Sequence, residues 1–227
     1  MVSPTARVLE VGPGSGAFTI PLAAAVREVV VVEPSLAMRQ VLNRNLAAAG
    51  LGNVRIVPQP FETGLTALEG SFDLALASHS LYHVEMIDTV LHGLLKFANH
   101  IVILLGIGEE LAWYQALYRQ FKNKEPLPSA HFRYFYSVLL ELGIYADVKL
   151  IWTSSNYVYN SEDTMVEWWL NHFHLNAARQ AEMRVALRQI SERRGDQVGI
   201  YDRRRIAFIW IERERNVVCK NNLSINA

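Results

Sequence analysis

Apolar residues in the first half of the chain fall into short runs separated by stretches with helical spacing. Arg7–Val11 reads as a strand ending in a glycine turn, and Ala17–Val26 as a helix opening out of that turn. Four consecutive valines, Val29–Val32, leave no polar face, which marks a strand buried on both sides. Ser35 is placed to cap a second helix. Behind it Leu36, Val41, Leu42, Leu46 and Ala49 recur at near-helical spacing as far as a stop at Gly50. Val54–Val57, Phe72–Ala77 and Ile101–Leu105 read as the third, fourth and fifth strands, with Ile87–Phe97 a helix before the last of them. Strands alternating with helices in this way predict parallel crossovers and a doubly wound sheet. Ligands of such sheets sit at the carboxyl ends of the strands.

The second half reads differently. From Gly106 to Glu141 it is helical and aromatic, with Trp113, Tyr114, Tyr118, Phe121, Phe132, Tyr134, Phe135 and Tyr136, and Pro126 and Pro128 break it in two. Ala146–Trp152 and Ile206–Ile211 read as the last two strands. A helical pair lies between them. Ser161 caps its first helix, with Glu162 and Asp163 suited to the positive N-terminus. Met165, Trp168, Trp169 and His172 are expected on one face of that helix, and Met183, Leu187 and Ile190 on one face of the next. The pattern predicts an α/β fold with a mostly parallel seven-stranded sheet and helical insertions after strands five and six. It is expected to be one domain over residues 1–215, with a nucleotide-fold half at 1–105, a helical and aromatic half at 106–215, and a flexible tail at 216–227.

Composition narrows the picture. Of 227 residues, 51% are hydrophobic and 19% charged, enough for a large core and too apolar for disorder. Lys+Arg and Asp+Glu are 22 each, which argues against a protein that grips nucleic acid by charge alone. The dense basic clusters, Arg193-Arg194 and Arg203-Arg204-Arg205, read as a solvated helix end and a turn before a strand. A single cysteine, Cys219, forbids a disulfide within the chain and fits a reducing compartment. The longest apolar stretch, Ile20 to Val32, is interrupted by Arg27 and Glu28 and is too short to span a bilayer. A cytoplasmic protein with no membrane contact is expected.

The chemistry concentrates in Val8-Leu-Glu-Val-Gly-Pro-Gly-Ser-Gly16. Glycines between a strand and a helix let the backbone take positive φ and let a ligand approach it closely. The helix N-terminus beyond offers free N–H groups to an anionic group. Gly12-x-Gly14-x-x-Ala17 also satisfies the dinucleotide fingerprint. Two features favour another cofactor. Glu10 stands on the strand two residues before the first glycine, where dinucleotide folds carry an apolar residue, and a third glycine follows at Gly16.

Over about residues 7 to 105 the chain resembles the class I S-adenosylmethionine-dependent methyltransferases, which have a Rossmann-like fold. The resemblance implies S-adenosyl-L-methionine as cofactor, with its methionine carboxylate at the turn of Gly12, Gly14 and Gly16. It implies that Glu33, at the end of the valine strand, accepts hydrogen bonds from the ribose hydroxyls. Pro34 and Ser35 follow in the family's manner, with Met38 placed to pack on the adenine. Phe61 or Glu62 would cover the other adenine face, although the family's usual Gly-Asp pair is missing there. Strand four ends in Ser78-His79-Ser80-Leu81-Tyr82-His83, which resembles the motif facing the sulfonium and the acceptor. Ser78 and His79 fall nearest the cofactor, and His79, Tyr82, His83 and Glu85 are the candidate bases. Asp73 is expected to be structural.

Methyl transfer from a sulfonium needs alignment, exclusion of water and sometimes a base. No metal is expected: His79 and His83 have helical i,i+4 spacing, but no third ligand is in evidence. Trp113, Tyr114, Trp168 and Trp169 are expected mainly to pack helices, with at least one facing an acceptor pocket. A small-molecule acceptor is the leading expectation, and an assembly of identical chains stays open. The alternatives are an RNA methyltransferase, an NAD-binding oxidoreductase and a non-catalytic binding protein. The opening run to Thr19 is similar to ribosomal RNA adenine dimethylases, whose N-L-P-Y motif is replaced here by Ser78-His-Ser-Leu81. The family usually places a helix before the first strand. Few residues precede it here, so the lid would come from the late insertion or a partner chain, unless the sequence is part of a longer one.

Overall fold

The structure is a computed structural model and describes residues 3–82, 84–108, 111–125 and 132–216. Its eight strands, β1 Arg7–Val11, β2 Glu28–Val32, β3 Val54–Val57, β4 Phe72–Ser78, β5 Ala98–Gly106, β6 Asp147–Tyr159, β7 Glu192–Arg194 and β8 Gln197–Glu212, form one sheet. The order is β3-β2-β1-β4-β5-β8-β6, with β7 added antiparallel to β8. Strands β1 to β5 are mutually parallel, as the alternating pattern predicts. From β1 the chain moves outward through β2 to β3, then returns to place β4 on the other side of β1. That reversal creates a crevice at the carboxyl ends of β1 and β4, where doubly wound sheets bind ligands.

The valine strand shows why the sequence folds this way. Val30 and Val32 enter one apolar cluster with Leu9, Val11, Ala75 and Ile103. Val29 and Val31 enter a second cluster, on the other sheet face, with Val8, Ala23, Leu42 and Leu46. All four valines are fully buried, each stabilising the fold by about 1.5 kcal/mol or more. A polar residue at any of the four positions would lose that term and carry an unmet desolvation cost.

The helices α1 Thr19–Ala23, α2 Leu36–Ala48, α3 Phe61–Thr66 and α4 Ile87–Phe97 connect the parallel strands. Helix α1 is shorter than the pattern predicts. Helical bonds run from Ile20 N–H to Gly16 and from Val26 N–H to Leu22, but Pro21 has no N–H to continue the ladder. Ser35 caps α2, accepting the Met38 N–H at 3.3 Å. The remaining helices are α5 Ala112–Lys122, α6 Phe132–Glu141, α7 Glu162–His172 and α8 Gln180–Arg188.

The chain divides into two compact units. One comprises Met1–Ile107, Ala130–Leu150 and Ala207–Ala227, the other Gly108–Ser129 and Ile151–Ile206. A linear cut near residue 105 therefore misses two returns of the chain to the first unit. There Phe135, Leu139 and Ile144 join Ile209 and Ile211 in the core of the sheet. The second unit has its own core of Leu117, Phe121, Met165, Trp169, Phe173, Met183, Leu187 and Ile200. Ser161 caps α7 as expected, accepting the Thr164 N–H at 3.1 Å.

Three local expectations change. Arg203-Arg204-Arg205 lies inside β8 rather than in a turn before a strand, and Arg193-Arg194 lies on β7 rather than at a helix end. On α7, Met165 and Trp169 are buried, whereas Trp168 stays 41% exposed and stacks on exposed His172 with ring centroids 4.8 Å apart. Asn216, placed by sequence in the loose tail, is buried, and its Oδ1 accepts the Tyr145 N–H at 2.7 Å. Cys219 and the rest of that tail lie outside the described residues. No helix among the described residues is long and apolar enough to cross a membrane.

Candidate functional site

Every described residue of the expected cofactor site lies in the first unit, at or just beyond the carboxyl ends of β1 to β4. The glycine turn is built on positive backbone angles, with φ of 69° at Gly12, 55° at Gly14 and 95° at Gly16. Gly12 has a second constraint: a Cβ there would overlap the Ser80 Cβ and come within 3.2 Å of the Phe61 ring. Around Gly14 the same position opens onto free space, so its backbone is approachable. The Gly12 N–H donates to the Val32 carbonyl at 3.0 Å, which binds the turn to the end of β2.

Glu10 is 2% exposed, and its Oε2 accepts the Thr19 hydroxyl at 2.6 Å. Burial pushes its carboxyl up to about 7, opposed in part by that hydrogen bond. A carboxylate held in an apolar strand at this cost favours a cationic ligand group beside it. Glu33 is also buried, at 6% exposure. Its Oε1 accepts the Ser35 N–H at 2.8 Å, and its own N–H donates to the Val57 carbonyl at 3.1 Å. Arg39 clamps the turn from behind, donating to the carbonyls of Glu33 at 2.9 Å and Pro34 at 2.6 Å. Met38, in the first turn of α2, is 40% exposed and free to pack on a ligand. Phe61 is half-buried against the glycine turn, and Glu62 is half-buried in the first turn of α3.

The end of β4 forms the other wall. Ser78 pairs with Leu104 of β5, and Asp73 at the strand's start accepts the Arg7 N–H at 2.8 Å, the structural role expected for it. His79 then turns into a left-handed conformation, φ 53°, a region uncommon for residues other than glycine in which histidine is among the enriched types. Its N–H donates to the Leu104 carbonyl at 2.9 Å. The His79 Nδ1 lies 2.6 Å from the Tyr82 hydroxyl, and that hydroxyl oxygen accepts the Gly106 N–H at 2.8 Å. Ser80 donates to the Val11 carbonyl at 2.6 Å and so ties this loop to the glycine turn. Glu85 is exposed, and His83 lies outside the described residues.

Thr19, Ser80, Arg39 and Gly106 are the contributors that sequence reasoning missed. Thr19 and Ser80 stand inside the two motifs, where a hydroxyl near a strand end was a readable signal. Gly106 acts through its N–H alone, for which no residue-type signal exists. The aromatic residues Trp113, Tyr114 and Trp169 pack within the second unit. There the Trp113 ring meets Tyr157 at 5.6 Å and Trp169 at 5.7 Å, and its Nε1 donates to Asp202 at 2.9 Å.

Residues 8–99 match a protein-family model described as a methyltransferase domain. No curated protein matches the chain. Several solved structures share its fold. A protein from Bacillus halodurans C-125 assigned as a methyltransferase aligns with a TM-score of 0.62 and 13% identity over 93% of this chain and 94% of its own. Precorrin-6y C5,15-methyltransferase from Geobacter metallireducens GS-15 aligns with a TM-score of 0.54 and 11% identity, covering 93% of this chain and 82% of its own. The N-methyltransferase NodS from Bradyrhizobium japonicum WM9, solved with S-adenosyl-L-homocysteine, aligns with a TM-score of 0.52 and 12% identity, covering 91% and 77%. At these identities the likeness is one of fold. The mostly parallel sheet is the fold of these methyltransferases, and residues 8–99 are the part that matches the methyltransferase-domain model.

Proposed function

We propose that this chain is an S-adenosylmethionine-dependent methyltransferase acting on a small molecule. One observation carries the reading. A glycine turn with three positive φ angles stands between two buried carboxylates, Glu10 and Glu33, at the ends of adjacent strands. A dinucleotide fold has no use for a carboxylate at the first position. S-adenosylmethionine does, because its α-ammonium is cationic, and the matched family model agrees. Names of fold neighbours, among them the precorrin and NodS enzymes, and the balanced net charge support a small-molecule acceptor.

The residues fit the cofactor. Gly14 leaves open space beside its backbone, Glu10 offers a buried anion, and Glu33 is oriented by the Ser35 N–H with its other oxygen available to ribose hydroxyls. Met38, Phe61, Glu62 and Pro34 are proposed to flank the adenosyl group, with Ser78 on the β4 side. Bound there, S-adenosylmethionine supplies an electrophilic methyl group and leaves as a neutral thioether. The protein's part is to align the acceptor and exclude water. His79, Tyr82 and His83 are the residues proposed at the acceptor end.

Thermal unfolding tests the reading without knowledge of the acceptor. S-adenosylmethionine or its demethylated product should stabilise the chain, by about 2.7 kcal/mol at one hundred times Kd. Protection by NAD and none by either sulfur compound overturns the proposal.

A further inference from the structure

We propose that Arg39 is a positioning residue that aims the Glu33 carboxylate through the Pro34–Ser35 peptide plane, and so sets how strongly the site reads the ribose hydroxyls of S-adenosylmethionine. The tie to ribose rests on the methyltransferase reading above.

The contacts run through one rigid unit. A peptide group is planar, with its carbonyl and its N–H on opposite edges. In the Pro34–Ser35 peptide both edges are held. The Pro34 carbonyl accepts from Arg39 Nη1 at 2.6 Å, and the Ser35 N–H donates to Glu33 Oε1 at 2.8 Å. The same Nη1 donates to the Glu33 carbonyl at 2.9 Å. A guanidinium can only donate, and Nη1 carries two hydrogens, so one nitrogen serves both carbonyls.

The strand ladder cannot supply this restraint. Its last β2–β3 pair is Val32 with Val57, and beyond it the Glu33 N–H donates to the Val57 carbonyl. Pro34 has no N–H, and its ring fixes φ but not ψ. The plane that follows it is therefore set by what grips its carbonyl. The Ser35 hydroxyl is engaged elsewhere, accepting the Met38 N–H as the cap of α2. Arg39 itself stands in the first turn of α2, where the helix dipole disfavours a cation, and its two carbonyl bonds offset that cost. With Oε1 held, Oε2 of this buried carboxylate takes no hydrogen bond from the described residues and is the oxygen presented to a ligand. Without Arg39 the Ser35 N–H swings with the Pro34 ψ, and the carboxylate loses its aim while keeping its charge.

Calorimetry with S-adenosylhomocysteine and its dideoxy counterpart, which lacks both ribose hydroxyls, tests this. Wild type should prefer the hydroxylated compound by roughly 10–100-fold, the strength of hydrogen bonds to an ionised acceptor. Arg39→Met keeps the apolar stem and removes the donors. It should reduce that preference by about tenfold while the dideoxy compound binds nearly as in wild type. Damage to packing weakens both compounds alike, so the ratio separates aim from structure. Arg39→Lys, an ammonium without the planar fork, is the second variant and should reduce the preference less. Arg44→Met removes an exposed charge further along α2 and should leave the preference unchanged. A wild type without preference, wild-type preference in both Arg39 variants, equal weakening of the two compounds, or the same loss in Arg44→Met overturns the role of Arg39 and leaves the cofactor reading standing. Failure of wild type to bind either compound overturns that reading, and the role falls with it.

Discussion

Replacing Glu10 by glutamine separates what this residue does for the fold from what it does for a ligand. Burial holds the carboxyl at about 7 in the folded chain against an ordinary 4.5. The unfolded chain therefore releases this proton at lower pH than the folded one. The stability Glu10 permits is fully present below 4.5 and is lost as pH rises through about 7. At about 1.36 kcal/mol per unit of pKa, the loss at pH 8 is on the order of 3 kcal/mol. Glutamine has nearly the same shape, keeps an oxygen for the Thr19 hydroxyl and has no proton to lose. Glu10→Gln should thus match wild type near pH 4.5 and exceed it at pH 8, by roughly 6–12 °C in Tm for a chain of this size. Ligand binding should move the other way. Loss of the charge opposite an α-ammonium costs about 1.5–3 kcal/mol, roughly 10–100-fold in Kd for S-adenosylhomocysteine. Wild-type affinity should tighten from pH 5 to pH 8, and the variant's should not. Thermal scans across pH and calorimetry at two pH values provide both readings. Parallel stability profiles, or equal affinity in the two proteins, would refute the reasoning.

Other substitutions follow from the same geometry. Gly12→Ala places a methyl group against Ser80 at a φ of 69°, so it should lower stability by about 1–3 kcal/mol and weaken S-adenosylhomocysteine at least tenfold, as calorimetry would report. Glu33→Gln can keep the Ser35 contact but loses the ionised acceptor, and a Kd roughly tenfold weaker or more with an unchanged Tm is the expected pair of results. Trp169→Ala removes a ring that is 1% exposed from the second unit's core, at a cost of about 3–5 kcal/mol. Hydrogen exchange should then show lost protection in α5, α7 and α8 with β1 to β4 still protected, and uniform loss across the chain would show that the two units do not unfold separately.

What sequence alone conveyed divides along a physical line. Strands β1, β2 and β4 were readable because burial leaves aliphatic runs with little competing pattern, and the valine strand, buried on both faces, is the clearest case. The glycine turn was readable because positive φ restricts residue choice. Glu10 and Glu33 stood out because a carboxylate at a buried strand end is costly. Helix α3 went unseen, since six residues interrupted by Gly64 carry too little periodicity. Strand β8 was read at less than half its length, because its first part faces a core on one side only and carries three consecutive arginines on a partly exposed ribbon.

The acceptor side shows the deeper limit. His79 and Tyr82 could be nominated from their place after β4, but not their roles. Those depend on what lies within reach of the Tyr82 oxygen, which includes the main-chain N–H of Gly106, at the end of a different strand. The parallel pairing of β4 with β5 brings the two strand ends together, with Ser78 beside Leu104 and the His79 N–H on the Leu104 carbonyl. A side chain's hydrogen-bond partner is thus set by sheet register, a property of the fold that no residue type records. The same register supports the left-handed backbone at His79, whose N–H reaches the Leu104 carbonyl just beyond the last β4–β5 pair.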